Sequence, residues 1–135
     1  MNASNWSTFL GDPQKISGLY DQEPDLNSCE LFYVQVDERG SSITLGFETS
    51  HLPQNPTPEQ SSAEFNSFEF YLTFMDTQDL SIKGWTGSPR RNVGLERTSA
   101  GTLAMSITST GTSIEFQARS ASCTKTRMSL ISRGE

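Results

Sequence analysis

From Cys29 to the end of the chain, apolar and polar residues alternate with a period of two. Such alternation predicts half-buried β-strands, in which successive side chains point to opposite faces of a sheet. The alternating runs are, in order, CELFYVQVDE, SSITLGFE, NSFEFYLTF, DLSIKGW, NVGLER, TLAMSIT, SIEFQAR and TRMSLI. The sequence therefore predicts a mainly β fold with about eight antiparallel strands. We expect mostly a meander, in a curled sheet, a sandwich or a half-open barrel.

The register of the runs also predicts which side chains face the core. One set of alternating positions is apolar in every run, so we expect these side chains to be buried. They are Phe32, Val34, Val36, Ile43, Leu45, Phe47, Phe68, Phe70, Leu72, Phe74, Leu80, Ile82, Val93, Leu95, Leu103, Met105, Ile107, Ile114, Phe116, Ala118, Met128 and Leu130.

The first 27 residues hold the only helical pattern in the chain. In GDPQKISGLYD, Asp12 stands at the position of an N-cap and Pro13 at the first helical position. Ile16, Leu19 and Tyr20 then fall on one side of the helix. We expect a short N-terminal helix packed on one face of the sheet.

The length of 135 residues fits one domain. We divide residues 1–135 into an N-terminal helical segment at 1–27 and an antiparallel sheet at 29–131. The N-terminus carries no basic and apolar leader pattern, and no apolar run approaches the roughly 18 residues of a membrane span. We therefore expect a cytoplasmic protein that does not bind membranes.

The face opposite the predicted core is polar on the later strands but apolar on the earlier ones. Its apolar members are Leu31, Tyr33, Tyr71, Met75 and, if no bulge precedes it, Trp85. Either the N-terminal helix covers this face, or the aromatic side chains form an exposed patch of the kind that marks a partner site. We favour the first explanation.

The stretch LSIKGWTG places Trp85 one step out of phase with Leu80 and Ile82. Trp85 either points outward to a binding site, returns to the core through a bulge at Gly84, or lies beneath the N-terminal helix. A buried position is the interpretation that we favour.

Charge is distributed unevenly along this chain of net charge −6. Residues 1–80 carry thirteen acidic residues against Lys15 and Arg39, whereas residues 81–135 carry eight basic residues against three acidic ones. An acidic protein binds phosphate backbones poorly, so we expect no nucleic-acid partner. An acidic face suits a basic protein partner instead.

The sequence carries no catalytic or cofactor-binding motif. The one histidine, His51, lies in the proline-rich loop HLPQNPTP, and no GxSxG or P-loop pattern is present. Cys29 and Cys123 are too few for a disulfide framework and too far from His51 in sequence for a zinc pattern. We expect no enzymatic activity, no cofactor, no metal and two reduced thiols, although neighbouring strands in a closed sheet would allow the two cysteines to pair.

The order of the segments resembles a known family. The segment NWSTFLGDP leads to the hairpin PDLNSCELFYVQVDERGSSITLGFE, the loop HLPQNPTP, the run FEFYLTFMDTQDLSIKGW and the end GTSIEFQARSASCTKTRMSLI. This pattern, over nearly the whole chain, is similar to the bacterial immunity protein 50 family of polymorphic toxin systems. The resemblance implies a cytoplasmic antidote that binds a cognate protein toxin and blocks its active site or the access to it, and it brings no catalytic residues.

Acidic complementarity would speed association with a cationic toxin, while a buried aromatic side chain would hold the complex. A homodimer, formed along an open sheet edge, is a further partner that the sequence leaves open. The candidate partner-binding residues are Asp37, Glu38, Glu48, Asp76, Asp79 and Trp85.

A second function fits the pattern as an alternative. A half-open barrel would hold a small apolar molecule without catalysing a reaction. The side chains that would line its cavity are Phe68, Phe70, Phe74 and Phe116.

Overall fold

The computed structural model describes residues 5–58, 65–84 and 91–130, and the alternating runs form eight antiparallel strands there. The strands are β1 (Glu30–Asp37), β2 (Ser42–Thr49), β3 (Ser67–Met75), β4 (Gln78–Lys83), β5 (Asn92–Arg97), β6 (Leu103–Ser109), β7 (Thr112–Ala118) and β8 (Ser120–Ser129). They lie in two four-stranded sheets, in the order β1-β2-β3-β8 and β4-β7-β6-β5. The predicted mainly β fold is confirmed, as two sheets that do not close into a barrel.

The strand order is a meander only in part. Strands β1 to β3 and strands β5 to β7 are neighbours in sequence and in space, but β8 pairs with β3 and β4 pairs with β7. The chain crosses from one sheet to the other after β3 and again after β7. The two crossings lie side by side, because the Arg119 backbone N–H donates a hydrogen bond to the Met75 carbonyl at 2.9 Å.

The core lies between the inner faces of the two sheets. Phe74 of β3 meets Phe116 of β7 edge to face, with ring centroids 5.2 Å apart. The predicted inward positions of β2, β3, β5, β6 and β7 are all buried, which confirms the register of these five strands.

The N-terminal segment is irregular and completes this core. It consists of two 3-10 turns, Trp6–Phe9 and Leu26–Ser28, and of the single helical turn α1 (Gln14–Ser17). The Trp6 ring stacks on Phe70 at 4.9 Å, and its indole N–H donates to a backbone carbonyl at 2.7 Å. The segment therefore covers the inner face of the first sheet, because Phe70 points inward.

Asp12 does not cap α1, which corrects the expectation from the sequence. The helix begins at Gln14 with Pro13 before it and has no side-chain cap. The Asp12 carboxylate accepts a hydrogen bond from the Cys123 backbone N–H at 3.1 Å and pairs with the Lys15 ammonium at 3.2 Å. Asp12 thus satisfies a donor on the outer edge of β8, a position where an unpaired strand would be open to association.

The predicted burial of β1 is wrong at two of three positions. Leu31 is buried, whereas Phe32 is 44% and Val36 is 49% exposed. A register shift between Leu31 and Tyr33 moves β1 out of strict alternation, and β1 is an edge strand with a neighbour on one side only.

The same prediction fails for β4 and for the end of β8. Leu80 and Ile82 are exposed on β4, the edge strand of the second sheet, and Leu130 is 69% exposed beyond the end of β8. Ala121 and Cys123 supply the buried side chains of β8 instead.

The two cysteines are free thiols and do not pair. Cys29 precedes β1 and Cys123 lies on β8, so the two stand at opposite edges of an open sheet. Burial raises the pKa of the Cys29 thiol to about 12 and that of Cys123 to about 11. Protonated thiols of this kind are structural rather than nucleophilic.

Candidate interaction surface

The outer face of the first sheet is ordered in rows that run across its four strands. Antiparallel pairing sets one residue of each strand side by side, and alternate rows point outward. Glu30 of β1, Glu48 of β2 and Glu69 of β3 form one such row, which continues to Arg127 of β8. We call the three carboxylates the glutamate row.

The next outward row is aromatic. Tyr33 of β1 and Tyr71 of β3 flank Gly46 of β2, with ring centroids 5.6 Å apart. The register shift in β1 places Phe32 on the same face, 5.8 Å from the Tyr71 ring. Tyr71 meets both Phe32 and Tyr33 edge to face, an arrangement that aromatic rings prefer, and Phe32 and Tyr33 are tilted by 46°. We call the three rings the aromatic cluster.

Gly46 makes room for these rings. A Cβ atom at this position would lie 2.9 Å from the Tyr33 Cβ, 3.0 Å from the Tyr71 Cε2 and 3.2 Å from the Phe32 Cζ. A glycine inside a strand weakens it unless something packs closely there, and here the three rings cover the bare backbone. The glycine in TLGFE thus leaves room for the aromatic side chains of both neighbouring strands.

Two rings of the aromatic cluster are exposed to solvent, and the third, Tyr71, is half-buried. Phe32 is 44% and Tyr33 is 39% exposed, and Met75 farther along the same face is 40% exposed. The expectation that the N-terminal helix covers this face is wrong, because Trp6 and Tyr20 pack against the inner face of the same sheet. Of the two explanations drawn from the sequence, the exposed patch is the one that the structure supports.

Charge changes sign across this face. The β1 to β3 side carries the glutamate row, whereas β8 contributes Lys125 and Arg127. The Lys125 ammonium lies 5.4 Å from the centroid of the Tyr71 ring, at cation–π distance. Burial raises the pKa of the Tyr71 hydroxyl, the charge of Glu69 acts in the same direction, and Arg127 opposes both.

The row beyond the aromatic cluster is neutral and hydrogen-bonded within itself. The Thr44 and Thr73 hydroxyls lie 3.0 Å apart, and Thr73 and Thr124 lie 2.9 Å apart. This row and the aromatic cluster border a shallow depression of about 370 Å³. A larger depression of about 510 Å³ lies on the other side of β8, between that strand and α1, and shares Thr124 and Lys125 with the first.

Four of the acidic residues singled out from the sequence lie at one end of the molecule. Asp37 ends β1, and Glu38 follows it in the β1–β2 turn. This turn is joined to the β3–β4 turn by a hydrogen bond from the Thr77 backbone N–H to the Ser41 carbonyl at 2.9 Å. Asp76 precedes Thr77 in the second turn, and Asp79 follows it at the start of β4.

Local geometry accounts for three of these four acids. The Asp37 carboxylate accepts a hydrogen bond from the Gly40 backbone N–H at 3.0 Å, which closes the turn. Asp76 and Asp79 adopt positive φ angles of 53° and 58°, a region that aspartate tolerates better than most residues. Asp76 also lies 3.7 Å from Arg119 in an exposed ion pair.

The remaining two candidates lie elsewhere. Glu48 belongs to the glutamate row near the opposite end of β2, so the structure does not bring it together with the other four acids. Trp85 lies outside the described residues, so its predicted burial stays a prediction. Gly84, which precedes it, has a φ of +58° and approaches the Gly111 carbonyl so closely that a Cβ would lie 1.8 Å from the oxygen.

Sequence reasoning missed Glu30 and Phe32 as surface residues of interest. The predicted register of β1 places Glu30 on the core side with Phe32, and its position beside Glu48 depends on the register shift and on strand pairing. Phe32 was assigned to the core because alternation alone does not reveal the register shift in β1.

Side chains that could ligate a metal ion are dispersed in the part of the chain that the structure describes. Across 5–58, 65–84 and 91–130, no three His, Cys, Asp or Glu side chains come together as a metal-binding group. The His51 Nε2 lies 2.9 Å from the Gln54 amide nitrogen on an exposed loop. In this part of the chain, none of the helical segments has the length and apolar character needed to span a bilayer.

Comparison with known protein families identifies this chain. The family model for immunity protein 50 matches residues 12–129, which confirms the resemblance found from the order of the segments. No curated protein and no solved structure matches the chain.

Proposed function

Because the chain belongs to the immunity protein 50 family, we propose that it binds a cognate protein toxin of a polymorphic toxin system and protects the producing bacterium. The observation that carries this proposal is the family match over residues 12–129, which spans α1 and all eight strands. The protein acts in the cytoplasm, as a binding partner rather than as an enzyme. It blocks the toxin's active site or the access to that site.

An exposed sheet face supports this mode of action. A rigid surface of aromatic side chains with charged residues around it has the composition of a protein–protein interface. The acids first chosen from the sequence, together with Trp85, remain candidates for that interface. Glu48 lies beside the aromatic cluster, whereas Asp37, Asp76 and Asp79 have the structural roles described above.

The ligand-binding alternative has less support. Its four phenylalanines are buried and pack ring to ring, with Phe68 6.0 Å from Phe70 and Phe74 5.2 Å from Phe116. The rings thus fill the space that a small apolar molecule would occupy. Neither of the two depressions described above is lined by any of these side chains.

Co-expression tests the proposal. The candidate toxin is a toxin domain sought in the genes adjacent to that of this chain, and it is produced in a sensitive bacterium with and without the chain. We expect growth to be restored only when the chain is present, and the two proteins to co-purify at a fixed stoichiometry. A matched control is the Phe70→Ala variant, which removes a central core ring and should fail to protect because it does not fold stably.

Growth arrest in the presence of abundant, folded wild-type protein would contradict the proposal. Turnover of the toxin's substrate or product by the purified chain would contradict its non-catalytic part.

A further inference from the structure

We propose that the outer face of the first sheet is the toxin-binding surface, and that it receives a positively charged segment of the toxin. In this arrangement an arginine or lysine side chain of the toxin lies over the aromatic cluster and pairs with the glutamate row. The inference rests on the proposed function and specifies the surface and the chemistry of the partner.

The aromatic cluster is fixed in place before any partner arrives. Its rings hold one another at centroid distances of 5.6 to 6.4 Å and lie over the bare backbone of Gly46. Large, rigid side chains lose little conformational freedom on binding, which is why aromatic residues dominate the energetics of interfaces. The exposure of Phe32 and Tyr33 leaves their apolar area available to a partner.

The glutamate row determines the charge of that partner. Like charges placed side by side on neighbouring strands destabilise a sheet. The ion pairs within the described residues join Asp12 with Lys15 and Asp76 with Arg119, and they include neither Glu30 nor Glu69. A cation brought by the partner would pair with the Glu30 and Glu69 carboxylates.

The face already shows how it holds a cation. Lys125 reaches over the Tyr71 ring from the β8 side, so a ring face of this cluster accepts an ammonium group. Lys125 and Arg127 repel a second cation at that side. The partner's cation therefore belongs over Gly46, toward Phe32 and Tyr33, on the side of the cluster away from β8.

Charge reversal tests the surface while leaving the fold intact. The variant with Glu30→Lys and Glu69→Lys gives Glu48 two opposite-charge neighbours and places one lysine beside Arg127, so its free energy of unfolding should stay close to that of the wild type. Its association rate with the purified toxin should fall by at least about tenfold. The matched control carries Glu96→Lys and Glu115→Lys on two exposed positions of the second sheet, with the same change in net charge.

We expect the control to associate within about threefold of the wild-type rate, because distant exposed charges are largely screened at physiological salt. Equal losses in both variants would overturn the assignment, since they would reflect net charge alone. Wild-type binding by the Glu30→Lys, Glu69→Lys variant would overturn it as well.

Two single changes separate the aromatic and the charged contributions. Phe32→Thr keeps a good strand former and should weaken toxin affinity by about 30-fold, mainly through faster dissociation. Lys125→Glu adds an acid beside Tyr71 and should speed association. Slower association in Lys125→Glu, or unchanged affinity in a folded Phe32→Thr variant, would overturn the proposal.

A second copy of the chain is the competing occupant of this face. If sedimentation shows a wild-type dimer that the two lysine substitutions abolish, while toxin affinity is retained, the face is a homodimer interface and the proposal is wrong. If the wild-type protein fails to bind or neutralise the toxin, both the proposed function and the inference are wrong. If the wild type binds the toxin and the Glu30→Lys, Glu69→Lys variant binds it equally well, only the inference about the surface is wrong.

Discussion

Gly46 connects the packing of the first sheet to the surface that we assign to the toxin. Replacing a strand glycine usually stabilises a sheet, because other residues lose less conformational freedom on folding. At Gly46 an added Cβ would lie 2.9 Å from the Tyr33 Cβ, an atom fixed to the backbone that cannot simply rotate away. The rings of the aromatic cluster would have to move.

We therefore expect Gly46→Ala to lower the free energy of unfolding by about 1 to 3 kcal/mol, the usual cost of overpacking a close contact. Urea denaturation followed by fluorescence measures this change. Gly11→Ala is the control, since a Cβ there meets its nearest atom, the Ala121 carbonyl oxygen, at an ordinary 3.7 Å. A Gly46→Ala variant as stable as Gly11→Ala would show that the rings are not fixed over the glycine.

At the scale of elements, the N-terminal segment belongs to the core although it contains only one turn of α-helix. Trp6 is buried against Phe70, and its indole N–H donates a hydrogen bond to the Pro24 carbonyl. Ile16 and Leu26 are fully buried. Irregular chain of this kind is held by side-chain packing rather than by helix propensity.

Trp6→Ala should accordingly cost about 3 to 5 kcal/mol of stability, the range for deleting a large buried aromatic side chain. Thermal and chemical unfolding measure the loss. Leu130→Ala, at a position 69% exposed, should change stability by less than about 0.5 kcal/mol. If Trp6→Ala and Leu130→Ala were equally stable, the N-terminal segment would not contribute to the core between the sheets.

The elements also show what alternation in a sequence reveals. The eight runs and the inward faces of β2, β3, β5, β6 and β7 could be predicted, because burial on one face imposes a period of two. The errors fall on β1, β4 and the end of β8, which are edge strands or lie beyond a strand end. Fewer side chains are buried at these positions. A register shift of one residue, as in β1, moves side chains from one face of the sheet to the other.

Pairing between distant strands was not predictable in the same way. Alternation reports which face a residue occupies, but not which strand lies beside it. The pairing of β8 with β3 is what sets Arg127 beside Glu69 and Lys125 beside Tyr71. The surface that we assign to the toxin therefore emerges from residues more than fifty positions apart, and only its separate members were visible in the sequence.

At the scale of the molecule, the same pairing reshapes the charge asymmetry of the chain. The acidic first part and the basic last part do not form two opposed halves on this sheet, because β8 from the basic part lies next to β3 from the acidic part. The outer face thus carries acids on three strands and bases on the fourth. A partner that matches it must be basic on one side, which restricts its orientation as well as its charge.

This arrangement predicts how binding responds to salt. The net charge of −6 and the glutamate row attract a cationic toxin over distances comparable to the Debye length, about 10 Å at 0.1 M salt and about 3 Å at 1 M. Raising the salt concentration over this range should slow association by at least about tenfold and leave dissociation nearly unchanged, because dissociation depends on the aromatic contacts. Stopped-flow mixing with the toxin measures both rates. The Glu30→Lys, Glu69→Lys variant should lose most of this salt dependence, and an association rate that does not respond to salt in the wild type would contradict electrostatic attraction as the first step of recognition.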